Sequence, residues 1–182
     1  MKYIRPGFCA VAVFLLITNI NAQTKVPAAS IVINEATSLA AKSNKNVFII
    51  FHASWCVWCH RMDSSMNDQT VKDLFDKSYV VRHLTVDESK ENKHLENPGA
   101  DVVRIKYHGD QSGIPFWFIL DKKGDLLADS RMVGDDGKVG GNVGCPATPE
   151  EIDYFVKVLA NTSDLKPEEL QRIEKKFAKN QQ

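Results

Sequence analysis

Two cysteines separated by two residues, Cys56 and Cys59, are the side chains best suited to chemistry in this sequence. They follow an apolar run at residues 46–53 that is typical of a buried strand, and the pattern after Cys56 predicts a helix. One helical turn places both sulfur atoms on the same side, close enough to form a disulfide. Free N–H groups at a helix start favour an anion, so the pKa of Cys56 is expected below its ordinary value of about 8.5. The arrangement predicts thiol–disulfide exchange, in which Cys56 attacks a disulfide and Cys59 then attacks Cys56.

Residues 1–22 are predicted to form a signal peptide. Lys2 and Arg5 precede an apolar run at residues 8–17 that is too short to span a bilayer, and Ala22 offers a small residue for cleavage. The alternative is an anchor that stays uncleaved, but the run is short and ends in polar residues. We therefore expect an exported protein, periplasmic or secreted, with no stable membrane insertion after signal cleavage.

Residues 23–182 are long enough for one domain, with a core at about residues 30–161 and a C-terminal helical extension at 165–180. The sequence has 23 basic and 23 acidic residues, and this balance gives no reason to expect nucleic acid or an anionic surface as a partner. Three cysteines follow residue 22. Their odd number and the close spacing of two of them indicate reactive cysteines rather than a disulfide framework.

The apolar periodicity predicts helices and strands that alternate along the chain. Strands are predicted at residues 46–53, 79–86, 115–120 and 126–130. The order implies the α/β class, with a mixed central sheet of about four to five strands covered by helices on both faces. Polar residues 89–99 and glycine-rich residues 133–144 are predicted as loops, and Thr148 as the cap of a following helix.

Residues 51–59, with the sequence Phe-His-Ala-Ser-Trp-Cys-Val-Trp-Cys, resemble the active-site segment of the thioredoxin superfamily. Residues 113–115 resemble its second signature, in which the proline is cis and lies against the disulfide. The resemblance covers about residues 47–131; its details are similar to the exported C-terminal domain of DsbD and to small endoplasmic-reticulum thioredoxin-like proteins. It implies a thioredoxin fold with a redox-active Cys56–Cys59 disulfide. The supporting residues that it implies are Trp55, Trp58, Ile114 and Pro115.

The sequence departs from the thioredoxin pattern at Ile50, where thioredoxins carry a buried Asp that helps to deprotonate the second cysteine. No carboxylate occurs between Val47 and Arg61. Strand alternation puts His52 on the same face as Ile50, which makes His52 a candidate proton acceptor for Cys59. The alternative is a packed structural histidine.

The resemblance implies an exported thiol–disulfide oxidoreductase, either a reductase or an isomerase of protein disulfides, that needs no cofactor or metal. Its partners would be protein thiol or disulfide substrates and a membrane or soluble thiol reductant. The alternative is a redox-responsive binding module that holds a partner at Trp55, Trp58, Pro115 and Phe116.

His60 completes a C-x-x-C-H pattern, which is also the attachment signature of c-type haem. A strand that leads directly into the motif, the flanking tryptophans and the 113–115 signature oppose haem. A zinc site is opposed too, because Cys59 and His60 are adjacent and would point apart on a helix, and no second ligand pair exists.

Cys145 lies between the glycine-rich loop and the helix that begins after Thr148. One interpretation is a reduced thiol tucked under the loop, and the other is a third redox cysteine that bridges to a partner. We predict one disulfide, Cys56–Cys59, with Cys145 free.

Overall fold

A computed structural model of the chain describes residues 25–134 and 136–181. The predicted signal peptide, residues 1–22, therefore lies outside the described residues. The helices α1 to α6 are Ala29–Ser43, Val57–Met66, Lys72–Ser78, Ala100–Lys106, Pro149–Thr162 and Pro167–Phe177. The strands β1 to β6 are Asn46–His52, Tyr79–Thr85, Phe116–Leu120, Leu126–Asp129, Arg131–Val133 and Val139–Asn142.

The main sheet has four strands in the order β2-β1-β3-β4. Strand β1 pairs parallel with β2, where Val47 lies opposite Val80, and antiparallel with β3, where Ile50 lies opposite Trp117. Strand β4 continues the sheet antiparallel to β3. This mixed sheet confirms the predicted α/β class.

Successive side chains of β1 alternate between two apolar cores, as the pleat of a strand requires. Phe48 and Ile50 pack with residues of α2, α3, α5 and α6. Phe51 and its neighbours on the opposite face pack with α1 and α4. Helices therefore cover both faces of the sheet, as predicted, and β1 is buried from residue 47 to residue 51.

The prediction of a loop at residues 133–144 is wrong. Residues Arg131–Val133 and Val139–Asn142 form an antiparallel two-stranded hairpin outside the main sheet. The backbone N–H of Gly134 donates to the carbonyl of Lys138 at 2.9 Å, which closes the hairpin. Glycines at 140 and 141 remove the alternation of side chains by which a strand is recognised in a sequence.

Two other local features are shaped by polar groups. Helix α3 begins at Lys72, after a turn in which the Asp68 carboxylate accepts hydrogen bonds from the backbone N–H and hydroxyl of Thr70. The predicted polar loop at residues 89–99 contains a short 3₁₀ helix, Lys90–Leu95. The Asp68 turn and the 3₁₀ helix both lie in polar stretches, where apolar periodicity gives no signal.

The C-terminal part of the chain packs against the sheet. Helix α5 starts as predicted, with Thr148 and Glu151 forming a reciprocal capping box. Helix α6 buries Ile173 and Phe177, and a last 3₁₀ turn, Ala178–Gln181, follows it. Among residues 25–134 and 136–181, no helix combines the length and apolar character needed to span a membrane.

Candidate active site

Cys56 and Cys59 form a disulfide at the point where β1 gives way to α2. Cys56 is the N-cap of α2 and has an extended backbone, while Cys59 lies in the first turn. The backbone N–H of Cys59 points at the sulfur of Cys56, with 3.1 Å between nitrogen and sulfur. A sulfur at an N-cap takes the place of the oxygen that usually accepts this hydrogen bond, so the helix start is built to hold a thiolate there.

The disulfide itself is nearly covered by the chain. Cys56 is 3% exposed and Cys59 is 1% exposed. They pack with Ala53 and with the partly buried Ile114. The exposed fraction is therefore nearly the same for the two cysteines, and they differ in their position on the helix.

The loop before β3 closes over the disulfide, as the resemblance implies. The Ile114–Pro115 peptide bond is cis, as predicted, and the Ile114 carbonyl oxygen lies 3.6 Å from the sulfur of Cys56. Asn142 of the β5–β6 hairpin donates to the carbonyls of Gly113 and Pro115 at 2.8 and 3.0 Å. Asn142 was not predicted as a site residue, because the hairpin that carries it was taken for a loop.

A buried carboxylate, that of Glu88, supports the segment before the cysteines. Its two oxygens accept from the backbone N–H and the hydroxyl of Ser54 at 2.6 and 2.7 Å. The indole N–H of Trp55 donates to the carbonyl of Asp87 at 2.8 Å. Residues 54 and 55 are thereby fixed to the chain that follows β2. The sequence prediction missed Glu88 because the residue stands in a polar stretch, 34 positions away from its partner in the sequence.

His52 belongs to a polar network beside α2. Its Nε2 lies 3.1 Å from the hydroxyl of Thr85, and its ring centroid is 4.9 Å from that of His83. His83 in turn contacts the Asp63 carboxylate at 2.7 Å. Burial lowers the pKa of His52 below its ordinary value, and His83 lowers this pKa further. No hydrogen bond between the described residues joins His52 to Cys59.

His60, which completes the C-x-x-C-H pattern, is turned toward the backbone. Its Nε2 lies 2.8 Å from the carbonyl oxygen of Ser54. In the part of the chain that the structure describes, no group of three or more His, Cys, Asp or Glu side chains is arranged to hold a metal ion.

Apolar side chains surround the disulfide at the surface. Trp55 and Trp58 are 58% and 46% exposed, and Val57 between them is also exposed. The guanidinium carbon of Arg61 lies 4.7 Å from the ring centroid of Trp58, which is a cation–π arrangement. An exposed apolar patch beside reactive sulfurs is suited to contact with another protein.

Cys145 is free and buried, and it packs in a different apolar cluster from Cys56 and Cys59. Its sulfur lies 3.5 Å from Nδ2 of Asn180. Burial raises the pKa of the Cys145 thiol to about 12, which keeps the thiol protonated and unreactive at neutral pH. Among the described residues the disulfide is Cys56–Cys59 with Cys145 free, as predicted.

A family model described as Thioredoxin-like matches residues 28–122, more than half of the chain. The chain belongs to this thioredoxin-like family. The match includes β1, the Cys56–Cys59 motif and Pro115. It agrees with the thioredoxin fold that the sequence resemblance implies.

Two solved structures are similar to this chain at low sequence identity. The disulphide isomerase from Xylella fastidiosa Temecula1 is 18% identical, over 93% of this chain and 100% of that one, with a TM-score of 0.47. The DsbD C-terminal domain of Neisseria meningitidis in its oxidised form is 18% identical, over 75% of this chain and 98% of that one, with a TM-score of 0.43. Among curated proteins, none matches the chain significantly. At this identity the likeness concerns the fold alone.

The position six residues before Cys56 holds an apolar side chain in this protein. Ile50 occupies the place of the buried Asp of thioredoxins and is packed in the apolar core. The polar groups near α2 come instead from His52, His83 and Asp63. The arrangement combines a reversible disulfide, a helix start that favours a thiolate, and neutral imidazole nearby, which together suit thiol–disulfide exchange.

Proposed function

We propose that this thioredoxin-like chain is an exported thiol–disulfide oxidoreductase that reduces or isomerises disulfides in other proteins. The observation that carries the proposal is the Cys59 N–H directed at the sulfur of Cys56 within a Cys56–Cys59 disulfide. A hydrogen bond of this kind favours the thiolate of Cys56 when the pair is reduced. The exposed Trp55 and Trp58 beside the pair support a protein substrate.

The reaction begins with the reduced pair. The Cys56 thiolate attacks one sulfur of a substrate disulfide, the substrate S–S bond breaks, and the other substrate sulfur leaves as a thiolate that takes a proton from water. Cys59 then loses its proton and attacks the sulfur of Cys56. The second substrate sulfur leaves, and the Cys56–Cys59 disulfide forms. Two electrons pass from the cysteine pair to the substrate, and a membrane or soluble thiol reductant returns two electrons for the next cycle.

His52 is the proposed acceptor of the Cys59 proton. Its lowered pKa keeps the imidazole neutral, and therefore able to accept a proton, near neutral pH. The carbonyl oxygen of Ile114 lies against the sulfur of Cys56, and the partly buried Ile114 forms part of the surface that the substrate meets, with Pro115 buried next to it.

Insulin reduction tests the proposal. With a dithiol reductant present, the protein should accelerate the loss of insulin disulfides, while Cys56→Ser and Cys59→Ser should remove the acceleration.

We further propose that residues 1–22 are removed on export and that residues 23–182 fold as one domain. Sequencing the N-terminus of the exported protein should then give Gln23 as its first residue.

A redox-responsive binding module is the second candidate function, and the exposed Trp55 and Trp58 favour it. Pro115 and Phe116, which were expected on its partner surface, are buried, so that part of the expectation is wrong. Such a module would bind its partner in one redox state and show no turnover of insulin. In that case Cys59→Ser would retain binding, whereas an oxidoreductase with this substitution accumulates a covalent intermediate.

A further inference from the structure

A polar side chain near the C-terminal end, that of Asn180, is buried against the helix that carries the cysteines. Asn180 is only 7% exposed. Its Oδ1 accepts from the hydroxyl of Ser65 in α2 at 3.0 Å. Its Nδ2 donates to the carbonyl of Pro146 at 3.1 Å and lies 3.5 Å from the sulfur of Cys145. The amide therefore joins the last turn of the chain to α2 and to the segment before α5.

The backbone of Asn180 holds a second group, the side chain of Arg61. The Nη1 of Arg61 donates to the carbonyl oxygen of Asn180 at 2.9 Å. The same guanidinium lies over the ring of Trp58, 4.7 Å from its centroid. Arg61 thus connects Asn180 to one of the two residues that stand between the cysteines. Trp58 is about half exposed, and the Arg61 guanidinium lies against its ring.

The segment that presents Asn180 is itself firmly placed. Phe177, three residues earlier, is fully buried, and its ring centroid is 4.9 Å from that of Phe155. This segment lies outside residues 28–122, the part of the chain that the family model matches. The contact between Asn180 and α2 is therefore an addition to the family motif and does not belong to it.

We propose that Asn180 is a positioning residue for disulfide exchange with protein substrates. Its side-chain amide, bound to Ser65 and Pro146, fixes the backbone carbonyl that accepts from Arg61. Through Arg61 it holds the ring of Trp58 in the orientation that an incoming protein meets beside Cys56. The inference rests on the proposed function. It implies that Asn180 acts on substrates large enough to touch Trp58, and that a small disulfide reaching Cys56 by itself is insensitive to Asn180.

The test compares two substrates in the full-length exported protein. For Asn180→Ala, kcat/KM for insulin should fall about fivefold, a typical factor for one weakened aromatic contact at an interface. The rate with oxidised glutathione should stay within about twofold of wild type, because a tripeptide disulfide makes few contacts beyond the sulfurs. The control is Lys179→Ala, which truncates the exposed neighbouring side chain and should leave both rates unchanged.

A second variant keeps the test decisive if Asn180→Ala does not fold. Arg61→Met removes the guanidinium but keeps an unbranched side chain, and it should produce the same selective loss with insulin. The double variant should be no slower than either single variant, because both act through Trp58.

Three results would overturn the inference. An equal loss for insulin and oxidised glutathione would mean that the cysteine geometry itself had changed. A lower Tm with both rates unchanged would mean that Asn180 only stabilises the fold. Additive losses in the double variant would mean that Asn180 does not act through Arg61. If the wild-type protein reduced neither substrate, the proposed function would fail, and this inference would fail with it.

Discussion

The backbone N–H of Cys59 points at the sulfur of Cys56, with 3.1 Å between the two atoms. Among residues 25–134 and 136–181, no N–H points in this way at the sulfur of Cys59, which lies in the first turn of α2. We therefore expect the helix start to stabilise a thiolate at Cys56 rather than at Cys59 after reduction. The two cysteines, which are almost equally covered, are therefore distinguished by hydrogen bonding rather than by exposure.

The first prediction concerns the order of attack. Cys59→Ser should accumulate mixed disulfides with substrate proteins on Cys56, because the resolving thiol is absent, and Cys56→Ser should accumulate few. Non-reducing electrophoresis followed by peptide mass mapping measures both. Each variant is made with Cys145→Ser as well, so that the third thiol does not contribute. Equal accumulation in the two variants would show that the roles are not divided in this way.

The second prediction concerns His52 and pH. Burial and His83 hold the pKa of His52 below 6.5, while Asp63 and Glu88 oppose that shift and His60 adds to it. More of the imidazole is therefore neutral at pH 6–7 than in an unperturbed histidine, and the neutral form can accept the Cys59 proton. His52→Ala should slow release of the mixed disulfide at pH 6–7 but have little effect at pH 9, where a thiol with a pKa of about 8.5 ionises unaided.

Rapid-mixing measurements of substrate release across this pH range provide the readout for His52. His94→Ala is the matched control, because His94 is exposed and bonds only to the Glu91 carbonyl. A loss of equal size at every pH would instead indicate that His52 serves packing.

The third prediction concerns the buried carboxylate of Glu88. Glu88→Ala removes both acceptor oxygens, so the buried N–H and hydroxyl of Ser54 lose their hydrogen-bond partners. The free energy of unfolding should fall by about 2 kcal/mol. Urea denaturation measures the change, and insulin reduction should slow because Ser54 leads directly into the motif. The same substitution at exposed Glu91 is the control, and a Glu88 variant as stable as that control would refute a supporting role.

The fourth prediction concerns Cys145. With its pKa raised to about 12, the thiol stays protonated at pH 8 and remains so at pH 10. In the reduced protein at pH 8, iodoacetamide should modify Cys56 rapidly and Cys145 only after urea is added. Mass mapping of alkylated peptides distinguishes the sites. Rapid alkylation of Cys145 in the folded protein would contradict its burial and make it a candidate redox cysteine.

The elements that carry the cysteines were predictable because their signals are local. Residues 46–53 are apolar without interruption, which is the pattern of a strand covered on both faces, and β1 occupies most of that stretch. The two cysteines stand three residues apart at a helix start, which brings their sulfur atoms within reach of each other, and the signature at residues 113–115 favours a disulfide over haem. The start of α5 was predictable for the same reason, because Thr148 and Glu151 form a capping box within four residues.

The supporting contacts were not predictable, because they join residues that are distant in the sequence. Glu88 reaches Ser54 across 34 positions, and Asn180 reaches Ser65 across 115. Neither residue belongs to a periodic pattern, and a polar residue in a polar stretch looks exposed until the fold is known. Asn142 was missed for a different reason, since its strand contains two glycines that hide the alternation.

A single-turnover experiment tests the central claim most directly. The reduced protein is mixed with insulin in the absence of any other thiol, the reaction is quenched with acid, and all cysteines are identified by alkylation and mass mapping. The account predicts one Cys56–Cys59 disulfide formed for each insulin disulfide lost, with Cys145 still free. Unchanged insulin disulfides, or thiol loss at Cys145 with Cys56 and Cys59 still reduced, would contradict it.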